Sequence, residues 1–330
     1  MLAMIPLSVL DLAPIAEGSD AGTALNNARA LARHAERLGY NRFWMAEHHS
    51  MPGIASAATA VALAYVAGGT DTIRIGAGGV MLPNHSPLMV AEQFGTLEAL
   101  FPGRIDLGLG RAPGTDQAAA YAMRRNLNAD AGQFPSDVLE LQSYFGPADP
   151  ARRVRAVPGE GLNVPLWILG SSTFGAELAA ELGLPYAFAS HFAPQQMMEA
   201  IAIYRHRFKP SAQLAEPYVM LGFNVFAADS DEEGELLATS LMQAFVALRS
   251  GNPGKLQPPL AGYGDTLPLE FRAMLRSVLS SAAIGGPATV KAATEAFVER
   301  TGADELMITS QIYDHSARLR SYTILADAMR

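Results

Sequence analysis

The feature that most constrains this chain is an alternation. Eight short apolar or β-branched runs are separated by Ala/Leu/Glu-rich stretches of helical length. That rhythm calls for parallel strands, which need crossover helices because a tight turn cannot join them. Strands are expected at 5–10, 42–46, 73–80, 105–109, 165–169, 186–189, 218–226 and 305–309. Helices are expected at 24–38, 57–66, 87–100, 136–144, 174–181, 194–207, 231–248, 288–300 and from 316 onward. Leu38-Gly39, Leu182-Gly183 and Thr301-Gly302 read as helix ends closed by a left-handed glycine, which places the start of the next strand. Eight such units in 330 residues favour a single (β/α)₈ TIM barrel over an open sheet, since closure removes the apolar edges.

Residues 1–330 therefore read as one domain with long loop insertions. Two segments break the rhythm, 112–135 and 250–268. The second holds Asn252-Pro253-Gly254, Pro258-Pro259 and Gly262-Tyr263-Gly264. Long loops in compact barrels are usually functional or mobile, so it is a candidate lid, extending as far as 250–285. The N-terminal run is apolar but has no basic leader, and Asp11 interrupts it, which suits a first strand better than a membrane span or signal. With no cysteine in the chain, disulfides, thiolate catalysis, iron–sulfur clusters and Cys-ligated zinc are excluded, in keeping with a cytoplasmic protein. A net charge of −8 gives no general attraction to nucleic acid or an anionic membrane, so an anionic ligand must be captured locally.

Barrel active sites lie at the C-terminal ends of the strands. The polar residues expected there are Asp11, Glu47-His48-His49, Asn84-His85, Arg111, Ser171-Ser172-Thr173, Ser190-His191, Gln311 and Asp314-His315. His49, His85 and His191 form the expected inner set, with His48 and His315 set aside as surface residues. Histidines with Glu47 and Asp11 would suit a barrel metallohydrolase. The spaced His-x-His of such sites is missing, however, and no metal is expected. Adjacent His48 and His49 on an extended segment point to opposite faces, so at most one faces a pocket.

The turn Gly170-Ser171-Ser172-Thr173-Phe174-Gly175 leads from a strand into a helix. Backbone N–H groups and hydroxyls there suit a phosphate monoester. An ordinary N-cap on Ser172 or Thr173 explains the same residues, but Arg111 at the end of the neighbouring strand favours the anion. Gly76-Ala77-Gly78-Gly79 weakens a strand unless something flat passes close to the backbone; a bulge or tight packing is the alternative.

Residues 43–49 (FWMAEHH), 73–116 and 165–194 together resemble the flavin-dependent luciferase-like monooxygenases, above all the bacterial luciferase family oxidoreductases of group 1. The resemblance covers nearly the whole chain and implies FMN at the barrel mouth, used in reduced form with O₂ on a small organic substrate. It further implies NAD(P)H reducing the flavin in place or a separate reductase partner, and a homodimer with faces on helices 57–66 and 87–100. By motif, Gly78-Gly79 would be a cis peptide beneath the flavin ring, and Arg111, Gly170, Ser171 and Ser172 would hold the phosphate. His191 would lie near the ring, and His49 would be the catalytic acid/base. Gly110 stands where the luciferase α subunit has a reactive cysteine, and Gly175 and His191 also depart from its pattern, so light emission is not expected. The alternatives are a non-catalytic flavin-binding protein and the metal-dependent barrel hydrolase.

Overall fold

In the computed structural model, residues 5–111, 122–123 and 131–330 are described. The strands are β1 (Leu7–Asp11), β2 (Arg42–Met45), β3 (Arg74–Met81), β4 (Ile105–Gly110), β5 (Leu166–Gly170), β6 (Tyr186–Phe188), β7 (Val219–Ala227), β8 (Ala282–Gly285) and β9 (Glu305–Thr309). Every pairing is parallel, and β1-β2-β3-β4-β5-β6-β7-β9 returns to β1 as a closed eight-stranded barrel. Around it run α1 (Ala21–Leu38), α2 (Thr59–Ala67), α3 (Pro87–Leu100), α4 (Phe134–Phe145), α5 (Thr173–Leu182), α6 (Met197–Arg207), α7 (Asp231–Arg249), α8 (Tyr263–Thr266), α9 (Leu269–Val278), α10 (Pro287–Thr301) and α11 (His315–Ala328). None of the described helices is long and apolar enough to cross a membrane.

The glycine punctuation operates as expected. Gly39, Gly183 and Gly302 close α1, α5 and α10 at φ of 84°, 62° and 60°, a region where a Cβ would be strained. At the other end of α1, Asp20 accepts a bond from the Thr23 N–H at 2.7 Å, satisfying a donor that the helix itself cannot.

Residues 250–285, expected as a lid or insertion, contain α8, α9 and an additional strand. The ninth strand, β8, pairs with the upper half of β7, from Asn224↔Ala282 to Ala227↔Gly285. It lies on the edge opposite β9 and above β6, whose own pairing with β7 ends at Leu221. A four-residue Ala-Ala-Ile-Gly run carries too little pattern to read as a strand. α9 was not among the expected helices, although Phe271, Met274, Leu275 and Val278 recur at helical spacing; all four pack against α7 and β7 residues such as Leu241, Phe245 and Phe226.

Strand alternation sorts the core into layers. Along β2, Phe43 and Met45 face the helices, while Trp44 and then Ala46 face the barrel interior. There Trp44 meets Trp167 edge-to-face at 5.2 Å, and Trp167 meets Tyr218 at 5.8 Å. Below the aromatics, at the strand N-termini, Arg42 bonds Glu305 and Asp106, each at 2.8 Å. Arg74 reaches Asp106 at 2.6 Å, the Trp44 indole N–H donates to it at 3.2 Å, and the Tyr218 hydroxyl donates to Glu305 at 2.9 Å.

Candidate active site

At the opposite, C-terminal end a cavity of about 260 Å³ opens between the barrel mouth and α7. His48, Gly78, His191, Asn224 and Gln311 contribute to its wall. Strand parity explains the first of these: Trp44 and Ala46 face inward, and the extended chain brings His48 next to the same face. His48 is thus a cavity residue rather than a surface one, and the two-residue period counted on from Trp44 would have identified it.

His49 turns the other way. Its Nε2 lies 2.5 Å from Glu47 Oε1, and His85 Nε2 approaches the same oxygen at 2.7 Å. Glu47 Oε2 accepts from the Met81 N–H at 3.0 Å. Glu47 is 3% exposed. Burial would raise its pKa, but bonds from His85, His49 and Met81 outweigh this and lower it. The ring of His85 is therefore committed to a carboxylate. These three ligand-type atoms lie within 4.8 Å of one another, but each already has a partner within the group.

The imidazoles in the cavity wall are held differently. Nδ1 of His48 and Nδ1 of His191 are buried without a hydrogen-bond partner. Burial lowers both pKa values, His191 to about 4 with His48 as a secondary cause, while for His48 the nearby Glu47 acts in the opposite direction. Both rings are thus neutral near pH 7, able to accept or donate one proton. Asn224 Nδ2 donates to the His191 carbonyl at 2.8 Å, and a side chain at Gly222 would collide with the His191 ring. Sequence reasoning missed Asn224 and Gly222 because they lie in the middle of β7, away from the strand-end positions it searched.

The Gly78-Gly79 peptide is cis, and the β3–β4 register slips between Ala77 and Val80. Small residues are needed on the protein side as well: a Cβ on Gly79 would lie 2.7 Å from the Gly108 carbonyl, and one on Gly78 would lie 2.9 Å from Leu10 Cδ1. Both earlier readings of the glycine run, a bulge and a wall for a flat ligand, are compatible with this.

The residues expected to hold an anion lie at the start of α5. Ser172 is the extended N-cap of α5, with no side-chain capping bond and no acidic residue in the first turn. Arg111 lies on the Phe174 ring of that turn, its guanidinium carbon 4.1 Å from the centroid. Ser171 and Arg111 are exposed and Gly170 partly so, leaving helix N–H groups, hydroxyls and a guanidinium open to a phosphate. Gly175 sits against Tyr186, whose ring would be 3.3 Å from an added Cβ. Of the remaining candidates, Asp11 is tied to Arg318 at 2.8 Å and Asp314 caps α11. Most of the 112–135 loop lies outside the described residues.

Pro253, Gly254 and Leu256 contribute to the cavity wall. Leu256 is tied to the loop after β1 by its N–H to Ile15 and its carbonyl to the Glu17 N–H, at 2.9 and 2.8 Å.

Comparison with known proteins agrees with this geometry. Residues 5–305 match the family described as luciferase-like monooxygenase. A luciferase-like monooxygenase of Escherichia coli is 51% identical over 323 residues, covering 98% of this chain and 96% of the relative. The structure of apo-MsnO8 superposes with a TM-score of 0.88 at 35% identity, covering 98% of both chains. The oxygenating constituent of 3,6-diketocamphane monooxygenase from Pseudomonas putida, solved in complex with FMN, shares the fold at a TM-score of 0.72 and 18% identity, over 98% and 97% of the two chains.

Proposed function

We propose, on the premise that this chain belongs to the luciferase-like monooxygenase family, that it binds FMN and uses the reduced flavin with dioxygen to oxygenate a small organic substrate. One observation carries the reading: Arg111 beside the uncapped start of α5 accompanies, at the same C-terminal end of the barrel, a cavity whose wall includes Gly78 and the two histidines His48 and His191. Arg111, Ser171, Ser172 and the N–H groups at the start of α5 would hold the phosphate, with Gly170 keeping the approach open. Gly78 and Gly79 would lie against the ring system, and His191 beside it. When bound, FMN supplies the redox chemistry and the activation of oxygen.

The chain supplies orientation, exclusion of water and proton handling. His48 takes the acid/base role that the motif resemblance gave to His49, because His48 lines the cavity while His49 is committed to Glu47. Glu47 then acts as a positioning residue that holds the β2 and β3 loops together through His49, His85 and Met81. Reduction by NAD(P)H in place or through a separate reductase, a cytoplasmic location and a homodimer belong to the same reading. Val61 on α2 and Met89 on α3, 72% and 56% exposed, are apolar residues that a dimer face would cover.

The test is an anaerobic titration of the purified protein with reduced FMN, followed by oxygenated buffer, on the native chain and on His48→Gln and His49→Gln. Saturable binding, with oxygen chemistry impaired by the His48 change and largely retained after the His49 change, is expected. Failure to bind reduced FMN would remove the basis of the proposal, and the opposite ranking of the histidines would restore His49 to the acid/base role.

A further inference from the structure

The barrel interior is not filled throughout. Interiors of this fold are normally packed by layers of inward side chains, but below the mouth a second recess of about 40 Å³ remains open. It shares Leu10, Gly78, Ala189 and His191 with the wall of the larger cavity, so the two adjoin. Its deeper wall comes from Trp44, Met220 and Met307, buried interior residues of β2, β7 and β9. The space exists because small residues border it: Gly78 on β3, Ala187 on β6 and Gly222 on β7.

The chemistry of this recess selects its occupant. Among the described residues, no Lys, Arg, Asp or Glu lines it, and the Trp44 indole N–H is already bonded to Asp106 at 3.2 Å. His191 turns Nδ1 toward Gly222, where an added Cβ would collide with it. A stable buried water needs about two to four polar partners, more than these side chains offer. A dry void forfeits dispersion contacts along its lining. A small apolar guest restores them, and the thioethers of Met220 and Met307 present it with polarizable surface. The volume exceeds the roughly 10–15 Å³ that a water-sized molecule requires. It falls far below the roughly 300 Å³ at which organic-ligand pockets begin, so neither a flavin ring nor an organic substrate fits.

We propose that the recess binds molecular oxygen, an uncharged apolar diatomic, beside the Gly78 wall against which the flavin ring would lie. The assignment rests on the monooxygenase reading for its role, whereas capture of a small apolar gas follows from the wall alone.

The probe for binding is xenon, which enters dry apolar cavities, in pressurised crystals of the protein as purified. The probe for function is the rate at which oxygenated buffer oxidises the reduced, FMN-loaded protein. Both are measured on the native chain and on Ala187→Leu, which extends a side chain into the recess. Xenon is expected in the native recess and absent from the variant. Oxidation should slow roughly threefold or more in the variant, as oxygen loses its place beside the ring, with FMN affinity unchanged. Should Ala187→Leu unfold, Ala187→Val fills part of the space and is expected to give the same changes in smaller degree. No xenon in the native recess, or xenon displaced with oxidation at the native rate, would overturn the proposal. Failure to bind FMN would instead remove the monooxygenase reading; with FMN bound, a negative xenon or rate result counts against the oxygen site alone.

Discussion

At the N-terminal end of the barrel, Arg42 spans Asp106 and Glu305, and Arg74, Trp44 and Tyr218 complete their bonding. At the C-terminal end, Nδ1 of His48, Nδ1 of His191, Oδ2 of Asp11 and Oγ1 of Thr309 are buried without a partner. The same eight strands supply both ends. A buried polar group left unpaired costs free energy, so the contrast separates an end whose polar groups bond one another from an end where the chain leaves several of them unsatisfied. This is the division of labour expected of a barrel in which stability lies at the bottom face and chemistry at the top.

The sharpest way to break the comparison is at the bottom. Arg42→Met removes the charge partner of buried Glu305 and one of the two from Asp106, and should cost about 3–5 kcal/mol, read as a lower midpoint in urea unfolding. At the top, His48→Gln should leave that midpoint within about 1 kcal/mol while lowering turnover roughly 10²–10⁴-fold, the usual contribution of a positioned acid/base. Equal stability losses from the two changes would show that the ends do not differ.

His191 sharpens the contrast through pH. Its folded pKa is depressed to about 4, so the unfolded chain binds the proton more readily, and stability present above pH 6.5 is lost as pH falls toward 4. The loss should be roughly 2–3 kcal/mol, and a His191→Asn variant should show a flatter pH profile of urea midpoints. The smallest effect is expected at the rim, where Arg111 is exposed. Arg111→Ala should weaken FMN binding about tenfold, the scale of one charge-assisted bond, with no change in the unfolding midpoint.

Much of the architecture was legible because it rests on period and punctuation. Eight strands and the helices between them follow from alternation, and three glycine caps follow from conformational necessity. What escaped was set by tertiary context. β8 exists because β6 is short and leaves the upper half of β7 without a partner on that side, a circumstance that no local sequence pattern in 282–285 encodes. In the site, the sequence located the turn before α5 and the glycine run at 76–79, since helix starts and glycine runs are local signals, whereas the cis Gly78-Gly79 peptide was expected only from the family resemblance. It left the choice between His48 and His49 to motif resemblance, although the parity running from Trp44 through Ala46 bears directly on it.

The placement of β8 has a consequence for how such an enzyme diversifies. The excursion that helps roof the cavity leaves from the end of α7 and returns as a strand bonded to β7, so both of its attachment points lie on one βα unit. A change of length within residues 250–281 would thus alter the cavity wall only at Pro253, Gly254 and Leu256, leaving the α7 part of the roof, the eight-stranded ring and its ionic base in place.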